Sequence, residues 1–435
     1  MLDIKFIREN QDLVKDAIRK KFVKLNLDEL ITLDDKRRET LLLVENMRAE
    51  QKKISDKMPT LSNPIEREQL IADIRPLKEN ISAKEEELKQ IIDDWQKMMV
   101  KVPNIPSPDT PEGPDDSGNM VVRTWGEIPK FDFQPKEHDA LGEALGIIDT
   151  ETAAIVAGSR FCYLKGDLVL MQFALIQFCL QLLTNKSKLQ EIADGAGLKI
   201  KVEEFIPVIP PVFIKPIVQL KMARLMTPEE HYMFPNDDLM LIGSAEHTMG
   251  SMYMDKIFSE NDLPIRLAGY STAFRREAGS YGKDMKGILR QHQFDKLEME
   301  VFSLPENSMQ EQNFLVAIQE YILQQLNLPY QVVLVCTGDM GFPDSRQFDI
   351  ETWMPGQNKY RETHSADLTG GFQSRRLNTR VKRSDGKIEP VHMNDATVVA
   401  IGRALIAIME NYQEADGRIR IPDVLKPYFG KDYIG

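Results

Sequence analysis

The residues best suited to chemistry lie between Phe274 and Glu298, where arginines, carboxylates and aromatic rings surround a glycine-rich stretch. Arg275 and Glu277 are two positions apart, so on a strand they would project from the same face, as Phe294 and Glu298 would. A guanidinium group fits phosphate oxygens, and an aromatic ring fits a purine. This spacing predicts two strands joined by a loop, with one surface suited to a nucleotide.

A charged hairpin that faces solvent is the alternative interpretation of this segment. The glycines Gly279, Gly282 and Gly287 indicate a mobile loop, which a purely structural hairpin does not need, so we favour the binding site. The sequence contains no GxxxxGK phosphate loop, no GxGxxG after a strand, no HExxH and no GxSxG. Any nucleotide must therefore be bound by other means.

Composition limits the class of protein. The 435 residues are 42% hydrophobic and 28% charged, which is typical of a globular chain and excludes a fully disordered or fibrous one. With 55 Lys and Arg against 67 Asp and Glu, the formal charge of −12 excludes nucleic-acid binding through bulk positive charge. The three cysteines lie far apart, and the sequence shows no secretory signal and no bilayer-spanning stretch. We therefore expect a cytoplasmic protein that does not bind membranes.

The first hundred residues contain no glycine and have the composition of long helices. One heptad track runs through Leu30, Leu33, Arg37, Thr40, Val44, Met47, Gln51, Ile54 and Met58. A second track runs through Ile74, Leu77, Ile81, Lys84, Leu88, Ile91, Trp95, Met98 and Val102. Two prolines in residues 58–64 predict a reversal between them, hence an antiparallel hairpin of roughly 40 Å per arm at ~1.5 Å per residue. Pro76 should kink the second helix or delay its start.

The first helix of this hairpin carries a surplus of basic residues over residues 36–57. They are Lys36, Arg37, Arg38, Arg48, Lys52, Lys53 and Lys57. Outer faces of coiled coils are commonly charged, so a solvated face is one interpretation of this pattern. A basic stripe that follows a phosphate backbone is the other.

Composition also divides the chain into regions. We assign residues 1–102 to the hairpin, residues 103–118 to a semi-rigid, exposed proline-rich linker, and residues 119–435 to a second domain. In that domain we predict helices over 168–183 and 396–412, and strands over 205–212, 294–302 and 330–335. Strands clustered with helices, without regular alternation, predict an α+β fold around an antiparallel sheet.

The segment between Phe274 and Glu298 (FRREAGSYGKD followed by GILRQHQFDKLE) resembles motif 2 of the class II aminoacyl-tRNA synthetases, in the version of the seryl-tRNA synthetase family. Residues 241–246 resemble that family's serine-binding TxE loop, residues 400–411 its motif 3, and residues 205–211 its dimer-forming motif 1. The helical hairpin in front also fits. Single motifs of this kind are weakly specific, but four in the right order are highly specific.

The resemblance implies a role for each matching residue. Arg275 would hold the α-phosphate of ATP, Arg403 the γ-phosphate, and Phe294 would stack on adenine. Glu362 and Ser365 would hold Mg²⁺, for which hard oxygen ligands are suited. The implied ATP-binding residues are Arg275, Arg276, Glu277, Arg290, Phe294, Glu362, Thr363, His364, Ser365 and Arg403. The implied serine-binding residues are Ser244, Ala245, Glu246, Arg275, Glu298, Asp395 and Thr397.

The sequence departs from the family's usual pattern at four places. Ser244 replaces the usual threonine and keeps its hydroxyl, and Lys286 replaces an arginine. Residues 364–367 read His-Ser-Ala-Asp where Ser-Ser-Cys-Ser is usual. Asp395 stands where the serine pocket usually has asparagine, and it adds a negative charge near the substrate.

The resemblance implies ATP-dependent activation of L-serine and its transfer to tRNA-Ser, and also to tRNA-Sec where that tRNA exists. It implies a homodimer whose arm contacts the long variable arm and elbow of tRNA-Ser, with Lys36, Arg38, Arg48, Lys52, Lys53 and Lys57 as phosphate contacts. A paralogue that loads a carrier protein is one alternative, which the long hairpin disfavours. A non-catalytic relative is the other, which the presence of Arg275, Arg403, Glu298 and Glu362 disfavours.

Overall fold

The computed structural model describes residues 1–60, 62–225, 227–278 and 286–435. Gly279 and Gly282 of the glycine-rich stretch lie outside the described residues, so the predicted mobile loop is not covered there. The chain divides into two compact units, Met1–Pro103 and Asn104–Gly435.

The first unit is helical. Its helices are α1 (Ile4–Glu9), α2 (Gln11–Lys20), α3 (Leu27–Lys57) and α4 (Pro64–Met99). The side chains of Asn26 and Asn63 cap the amino ends of α3 and α4 by accepting backbone N–H bonds, which fixes where each long helix begins. A 3₁₀ turn over Met58–Thr60 follows α3.

The two long helices pack along an apolar seam. Buried side chains of this seam include Leu30, Val44, Ile74, Ile81, Leu88 and Ile91. Arg37, early in α3, lies 4.7 Å from the ring centroid of Trp95, late in α4, and Arg48 pairs with Glu85 at 2.6 Å. Early positions of one helix thus meet late positions of the other, and the predicted antiparallel hairpin is confirmed.

The prediction that Pro76 kinks the second helix or delays its start is partly wrong. Helix α4 begins at Pro64, and Pro76 lies inside it, so Pro76 does not delay the start of the helix. Proline at the first helical position loses no intrahelical bond and already has a helical φ. The helix therefore starts at Pro64, before Pro76 is reached.

The second unit contains eighteen strands and ten further helices among its described residues. The strands are β1 (Met120–Trp125), β2 (Ile148–Asp149), β3 (Tyr163–Leu164), β4 (Ile206–Val208), β5 (Phe213–Ile214), β6 (Met233–Phe234), β7 (Leu239–Leu241), β8 (Ile257–Ser259), β9 (Ile265–Phe274), β10 (Gln293–Ser303), β11 (Tyr330–Leu334), β12 (Arg346–Met354), β13 (Lys359–Gly370), β14 (Arg380–Lys382), β15 (Ile388–Pro390), β16 (His392–Ala400), β17 (Ile419–Arg420) and β18 (Tyr433–Ile434). The helices are α5 (His138–Ala144), α6 (Thr150–Ala157), α7 (Asp167–Leu183), α8 (Lys186–Gly195), α9 (Pro216–Lys221), α10 (Glu246–Gly250), α11 (Ser308–Gln325), α12 (Gly371–Leu377), α13 (Ile401–Asn411) and α14 (Lys426–Phe429).

The main sheet has eight strands in the order β1-β11-β12-β13-β16-β10-β9-β4. Its described pairings are antiparallel, except that β4 runs parallel to β9. Smaller sheets are formed by β15-β14-β8, β5-β7-β6, β17-β18 and β2-β3. The α+β fold around an antiparallel sheet is confirmed.

The two faces of the main sheet differ in polarity. Leu297, Met299 and Val301 of β10 are buried in the core that side chains of α7, α11 and α13 complete. Glu298 and Glu300 alternate with them and therefore face the other side. One face holds the domain together, and the other presents polar groups.

Three sequence predictions differ from the structure. The expected helix over 396–412 is the end of β16 followed by α13, because a continuous apolar run does not distinguish a buried strand from a buried helix. The strand expected over 205–212 is limited to β4, and Pro210 and Pro211, which follow it, cannot donate to a sheet ladder. The segment over 103–118, expected to be a semi-rigid, exposed linker, is part of the second unit from Asn104 onward, and the N–H of Ser107 donates to the carbonyl of Ser345 at 2.7 Å.

Among the described residues, no single helix has both the length and the apolarity needed to cross a bilayer. The pair α7 and α8, bent by 78°, meets that test only when the two are taken together.

Candidate active site

A cavity of about 570 Å³ opens on the polar face of the main sheet. Nine of the residues singled out in the sequence line it. They are Arg275, Glu277, Arg290, Phe294, Glu362, Thr363, Ser365, Thr397 and Arg403. These residues come from three separate stretches of the chain, and the sheet brings them together.

A β-bulge puts Glu362 and Ser365 on the same face of β13. Residues three apart on a regular strand face opposite sides. Here Ser365 pairs with Asp349 and Glu362 pairs with Glu351 on β12, so Thr363 is the extra residue. The carboxylate and the hydroxyl therefore both face the cavity.

A second bulge aligns β16 with β10. Leu297 pairs with Val399, whereas the next residue, Glu298, pairs with Thr397, so one residue of β16 is skipped. Thr397 consequently lies directly opposite Glu298, and its hydroxyl is 3.3 Å from that of Ser365. Both bulges lie at the candidate site.

Arg275 lies just beyond the end of β9 and lines the cavity. Its N–H bonds to the carbonyl of His292 at 3.0 Å, and its Nε donates to the carbonyl of Gly243 at 3.1 Å. Its guanidinium carbon is 5.4 Å from the ring centroid of Phe294. The backbone of β9 and the loop at Gly243 thus hold this guanidinium in place.

Glu277 does not continue the strand as the sequence suggested. Strand β9 ends at Phe274, and Glu277 has φ of 52°, which ends the extended conformation. Its carboxylate accepts a 2.6 Å bond from Arg290. Glu277 and Arg290 line the cavity as a pair.

Arg403 projects from the first turn of α13, immediately after β16. Its NH1 donates to the carbonyl of Glu362 at 2.8 Å and lies 3.1 Å from the carboxylate of the same residue. Desolvation would raise the pKa of Glu362, but Arg403 outweighs it and holds this pKa below its usual value. Glu362 in turn raises the pKa of Arg403. Both groups are therefore charged at neutral pH.

The carboxylate Glu298 lies beneath the cavity floor and is 2% exposed. Ser244 donates its hydroxyl to Glu298 at 2.7 Å, and Lys296 forms an ion pair with the same oxygen. Ser244 also accepts the N–H of Glu246 at 3.3 Å. The serine that replaces the family's threonine thus makes a hydroxyl contact to Glu298.

Glu246 and Asp395 are buried beside Arg224. Arg224 donates from Nε to Glu246 at 2.8 Å, and its NH2 lies 3.6 Å from Asp395. Burial would raise the pKa of Glu246, but Arg224 lowers it below the usual value. Burial, together with Glu246 and Asp367, raises the pKa of Asp395 well above its usual value.

Seven residues of the implied site do not line the cavity, namely Ser244, Ala245, Glu246, Arg276, Glu298, His364 and Asp395. His364 faces the other side of β13 from Ser365, is 1% exposed, and lies 2.8 Å from the Thr363 hydroxyl. Arg276 is exposed, and its guanidinium lies 5.8 Å from the ring centroid of Tyr232. Ala245 is fully buried. Alternation along the strand explains His364, because its neighbour Ser365 occupies the cavity side.

Sequence reasoning missed several cavity residues. They include Arg224, His231, His247, Lys296 and Gln347. Lys296 could have been found, since it lies midway between Phe294 and Glu298 on the same face of β10. Arg224 carried no local signal, because its partners are up to 171 positions away in sequence and only the fold brings them close.

The cavity and the buried groups in contact with its lining residues therefore form two chemically different parts. Arg275 and Arg403, with the ring of Phe294, suit a nucleotide and its phosphates. Glu246 and Glu298, with the hydroxyls of Ser244 and Thr397, suit a cationic group and a hydroxyl.

Comparison with known proteins agrees with both units. The family model described as "Seryl-tRNA synthetase N-terminal domain" matches residues 1–106. The model described as "tRNA synthetase class II core domain (G, H, P, S and T)" matches residues 232–412. A curated serine–tRNA ligase of Thermodesulfovibrio yellowstonii is 39% identical over the whole length of both chains. This chain belongs to the seryl-tRNA synthetase family.

Solved structures of this family share the fold of the synthetase. A seryl-tRNA synthetase from Pyrococcus horikoshii, complexed with ATP, matches with a TM-score of 0.86 and 36% identity, over 100% of this chain and 99% of the other. A cytoplasmic serine–tRNA ligase from Naegleria fowleri, in complex with AMP, matches with a TM-score of 0.83 and 30% identity, over 100% and 98% of the two chains. The resemblance drawn from the motifs is confirmed, and the synthetase is a class II ligase.

The buried imidazole of His364 on β13 should make the stability of the fold depend on pH. Burial lowers the pKa of His364 to about 4, whereas an unfolded histidine titrates near ~6.5. Between these values the unfolded chain binds a proton that the folded chain does not, so the free energy of unfolding falls as the pH falls. Between pH 6.5 and pH 5, this histidine alone should lower the free energy of unfolding by about 2 kcal/mol.

We expect His364→Gln to remove this contribution. Urea unfolding followed by tryptophan fluorescence at both pH values should show a loss of stability on acidification that is about 2 kcal/mol smaller in the variant. An identical pH dependence in the two proteins would contradict the assignment of a neutral, buried imidazole.

Proposed function

We propose that this synthetase activates L-serine with ATP to form seryl-adenylate, then transfers the seryl group to the 3′ end of tRNA-Ser, and of tRNA-Sec where that tRNA exists. The observation that carries this proposal is the cavity lined by Arg275 and Arg403, whose lining residue Lys296 forms an ion pair with the buried Glu298. The family membership supports it. The match of residues 1–106 to the family's N-terminal domain disfavours a paralogue without the arm.

The chemistry needs positioning more than a protein nucleophile. A carboxylate oxygen of serine attacks the α-phosphorus, the bond from that phosphorus to the bridging oxygen breaks, and pyrophosphate leaves. Arg275 offsets the charge that develops on the α-phosphate, Arg403 holds the γ-phosphate, and Phe294 stacks on adenine. Transfer then follows when a ribose hydroxyl at the tRNA 3′ end attacks the seryl carbonyl and AMP leaves.

Glu362 and Ser365 fit a magnesium ion. Their oxygens are hard ligands, and the bulge at Thr363 places both on the cavity side of β13. No cluster of three or more His, Cys, Asp or Glu side chains within the described ranges has the geometry to hold a metal alone. We propose that ATP completes the coordination, where the ion would bridge and neutralise phosphate oxygens.

On the amino-acid side, we assign the serine ammonium to Glu246 and the serine hydroxyl to Glu298. Thr397 lies opposite Glu298 on the sheet and completes the wall of this pocket. The ion pair of Lys296 with Glu298 supports a charged carboxylate there, which is a strong acceptor for the substrate hydroxyl. Ser244 holds the same carboxylate from the other side.

We propose that the helical unit binds tRNA-Ser through α3. Lys36 and Arg48 have acidic partners on α4, Glu87 at 3.5 Å and Glu85 at 2.6 Å. Arg38, Lys52 and Lys53 are exposed, and no carboxylate among the described residues lies within ion-pair distance of them. These three therefore make the strongest phosphate contacts that we propose, with Lys36, Arg48 and Lys57 as further contacts.

We also propose a cytoplasmic homodimer. Large apolar side chains of the second unit are exposed on α6, α7 and the motif 1 segment, namely Ile155, Val156, Leu170, Phe173, Ile206 and Ile209. Ile155 and Ile209 are 87% and 86% exposed. Apolar surface of this kind is commonly covered by a partner, and a second copy of the chain offers the same patch.

Replacement of the phosphate arginines tests the central proposal. We expect Arg275→Ala and Arg403→Ala each to reduce serine-dependent ATP–pyrophosphate exchange by about 10²–10³, since each removes a charge-assisted contact worth ~3–4 kcal/mol in the transition state. Arg418→Ala, which removes an exposed arginine paired with Asp416, is the control and should retain activity. Near-normal exchange in either active-site variant would refute the assignment.

Matched triple variants test the arm. We expect replacement of Arg38, Lys52 and Lys53 by alanine to raise KM for tRNA-Ser at least about tenfold and to reduce the salt slope of binding by about three. The same replacement of Arg75, Lys78 and Lys89 on α4 removes three basic charges from the other helix and should have a much smaller effect. Pyrophosphate exchange should be unchanged in both, and equal losses of tRNA affinity would contradict a role specific to α3.

Analytical ultracentrifugation tests the dimer. At micromolar concentration we expect a mass near that of two chains, and Ile155→Glu with Ile209→Glu should shift it toward one chain because a buried, unpaired carboxylate is costly. Ile65→Glu, at a 75% exposed position on α4, is the control and should leave the mass unchanged. A wild-type mass near that of one chain would disprove the dimer.

A further inference from the structure

Arg224 is surrounded by four carboxylates at the floor of the cavity. Its guanidinium lies 2.8 Å from Glu246, 3.4 Å from Asp367, 3.6 Å from Asp395 and 3.7 Å from Asp344. We call these five residues the Arg224 cluster. The arginine side chain is 17% exposed and lines the cavity, whereas each carboxylate is 10% exposed or less.

The sheet register forces the carboxylates together. Asp395 on β16 pairs with Asp367 on β13 and with Glu300 on β10, so three acidic side chains form a row across neighbouring strands. Like charges directly opposite one another destabilise a sheet. Burial raises the pKa of the fully buried Glu300 well above the usual value, which favours the neutral form of this carboxyl. A cation beside this row also reduces the repulsion between the carboxylates, and the guanidinium of Arg224 is that cation.

The cluster still contains more acceptors than its arginine can satisfy. One oxygen of Asp367 and one of Asp395 are buried and have no hydrogen-bond partner among the described residues. Burial raises the pKa of Asp395 well above the usual value, and Arg224 opposes that rise. The guanidinium therefore favours the charged form of Asp395.

Asp395 stands where the family usually has asparagine, and its pair with Glu300 lies two pairs along the strands from that of Thr397 with Glu298 in the serine pocket. An aspartate there adds a negative charge to a pocket that binds both an ammonium and a hydroxyl. The guanidinium of Arg224 compensates for that charge and also holds Glu246, to which we assign the ammonium. Arg224 and Asp395 thus work as one unit.

We propose that Arg224 is a positioning residue for the amino-acid substrate and that Asp395 functions only as half of an Arg224–Asp395 pair. This inference rests on the proposed function, because it concerns the same pocket. It assigns Arg224 no contact with the reacting atoms. Its effect should appear in amino-acid binding and leave ATP binding unaffected, since Arg275, Arg403 and Phe294 hold the nucleotide.

A double-mutant cycle in the full-length protein tests the pair. We expect R224Q to raise KM for serine about tenfold or more in pyrophosphate exchange, with KM for ATP changed less than about twofold. D395N should raise KM for serine in the wild-type background, where it removes the partner of Arg224. In the R224Q background D395N should change KM for serine little, because the partner of Asp395 is already absent. The two D395N effects should differ by at least about tenfold.

Arg383→Gln is the matched control. Arg383 is also 17% exposed and pairs with three carboxylates, Glu260, Glu306 and Glu389, but it does not line the cavity. This variant should leave KM for serine unchanged. If R224Q does not fold, as judged by thermal melting, the cycle is run with R224K, which keeps the charge but not the fork geometry. D395N should then have a smaller effect than in the wild-type background.

Additive effects of the two replacements, or a parallel rise in KM for ATP, would overturn the inference. Exchange is first measured with each of the twenty amino acids, and the cycle uses the one that the wild-type protein activates. Activation of an amino acid other than serine would refute the proposed function, whereas an additive cycle with an active wild-type protein would refute only the Arg224–Asp395 pair.

Discussion

The opposite polarity of the two faces of the main sheet is the constraint on which the rest of the catalytic unit depends. Leu297, Met299 and Val301 bury themselves against α7, α11 and α13, and this burial sets which way β10 faces. Glu298 then has only the other face available. A slip of one residue would turn the carboxylates into the core and the apolar side chains into the cavity. The packing energy of the core therefore also fixes the orientation of the site.

Much of the fold and part of the site could be predicted because their signals are local. Heptad spacing indicated α3 and α4, and the motif around Arg275 indicated residues that line the cavity. What could not be predicted depends on pairing between distant segments. The bulge at Thr363 determines that Ser365 faces the cavity and His364 does not. Arg224 has carboxylate neighbours only because the fold brings distant segments close to it. Periodicity likewise cannot tell the end of a buried strand from the start of a buried helix, which explains the error over 396–412.

Under the proposed assignment, the charges of the site favour one orientation of a polar substrate pair. The cationic groups of Arg275 and Arg403 would attract the phosphates, and the carboxylates of Glu246 and Glu298 would attract an ammonium and a hydroxyl. The reverse orientation would place phosphate against carboxylate. These groups are held before the substrate arrives by backbone carbonyls, by neighbouring carboxylates and by the sheet itself, so little reorganisation accompanies the reaction.

The bulge at Thr363 has a consequence for how the length of this gene can change. An extra residue stored in a bulge can be lost without turning over the residues on either side, since Glu362 and Ser365 would then be two positions apart and still share a face. A deletion of one residue in a regular part of β13 would instead move every side chain between the deletion and the end of the strand to the opposite face of the sheet. The codon for Thr363 is thus a place where evolution can shorten or restore the strand by one residue and keep both oxygen ligands in the cavity.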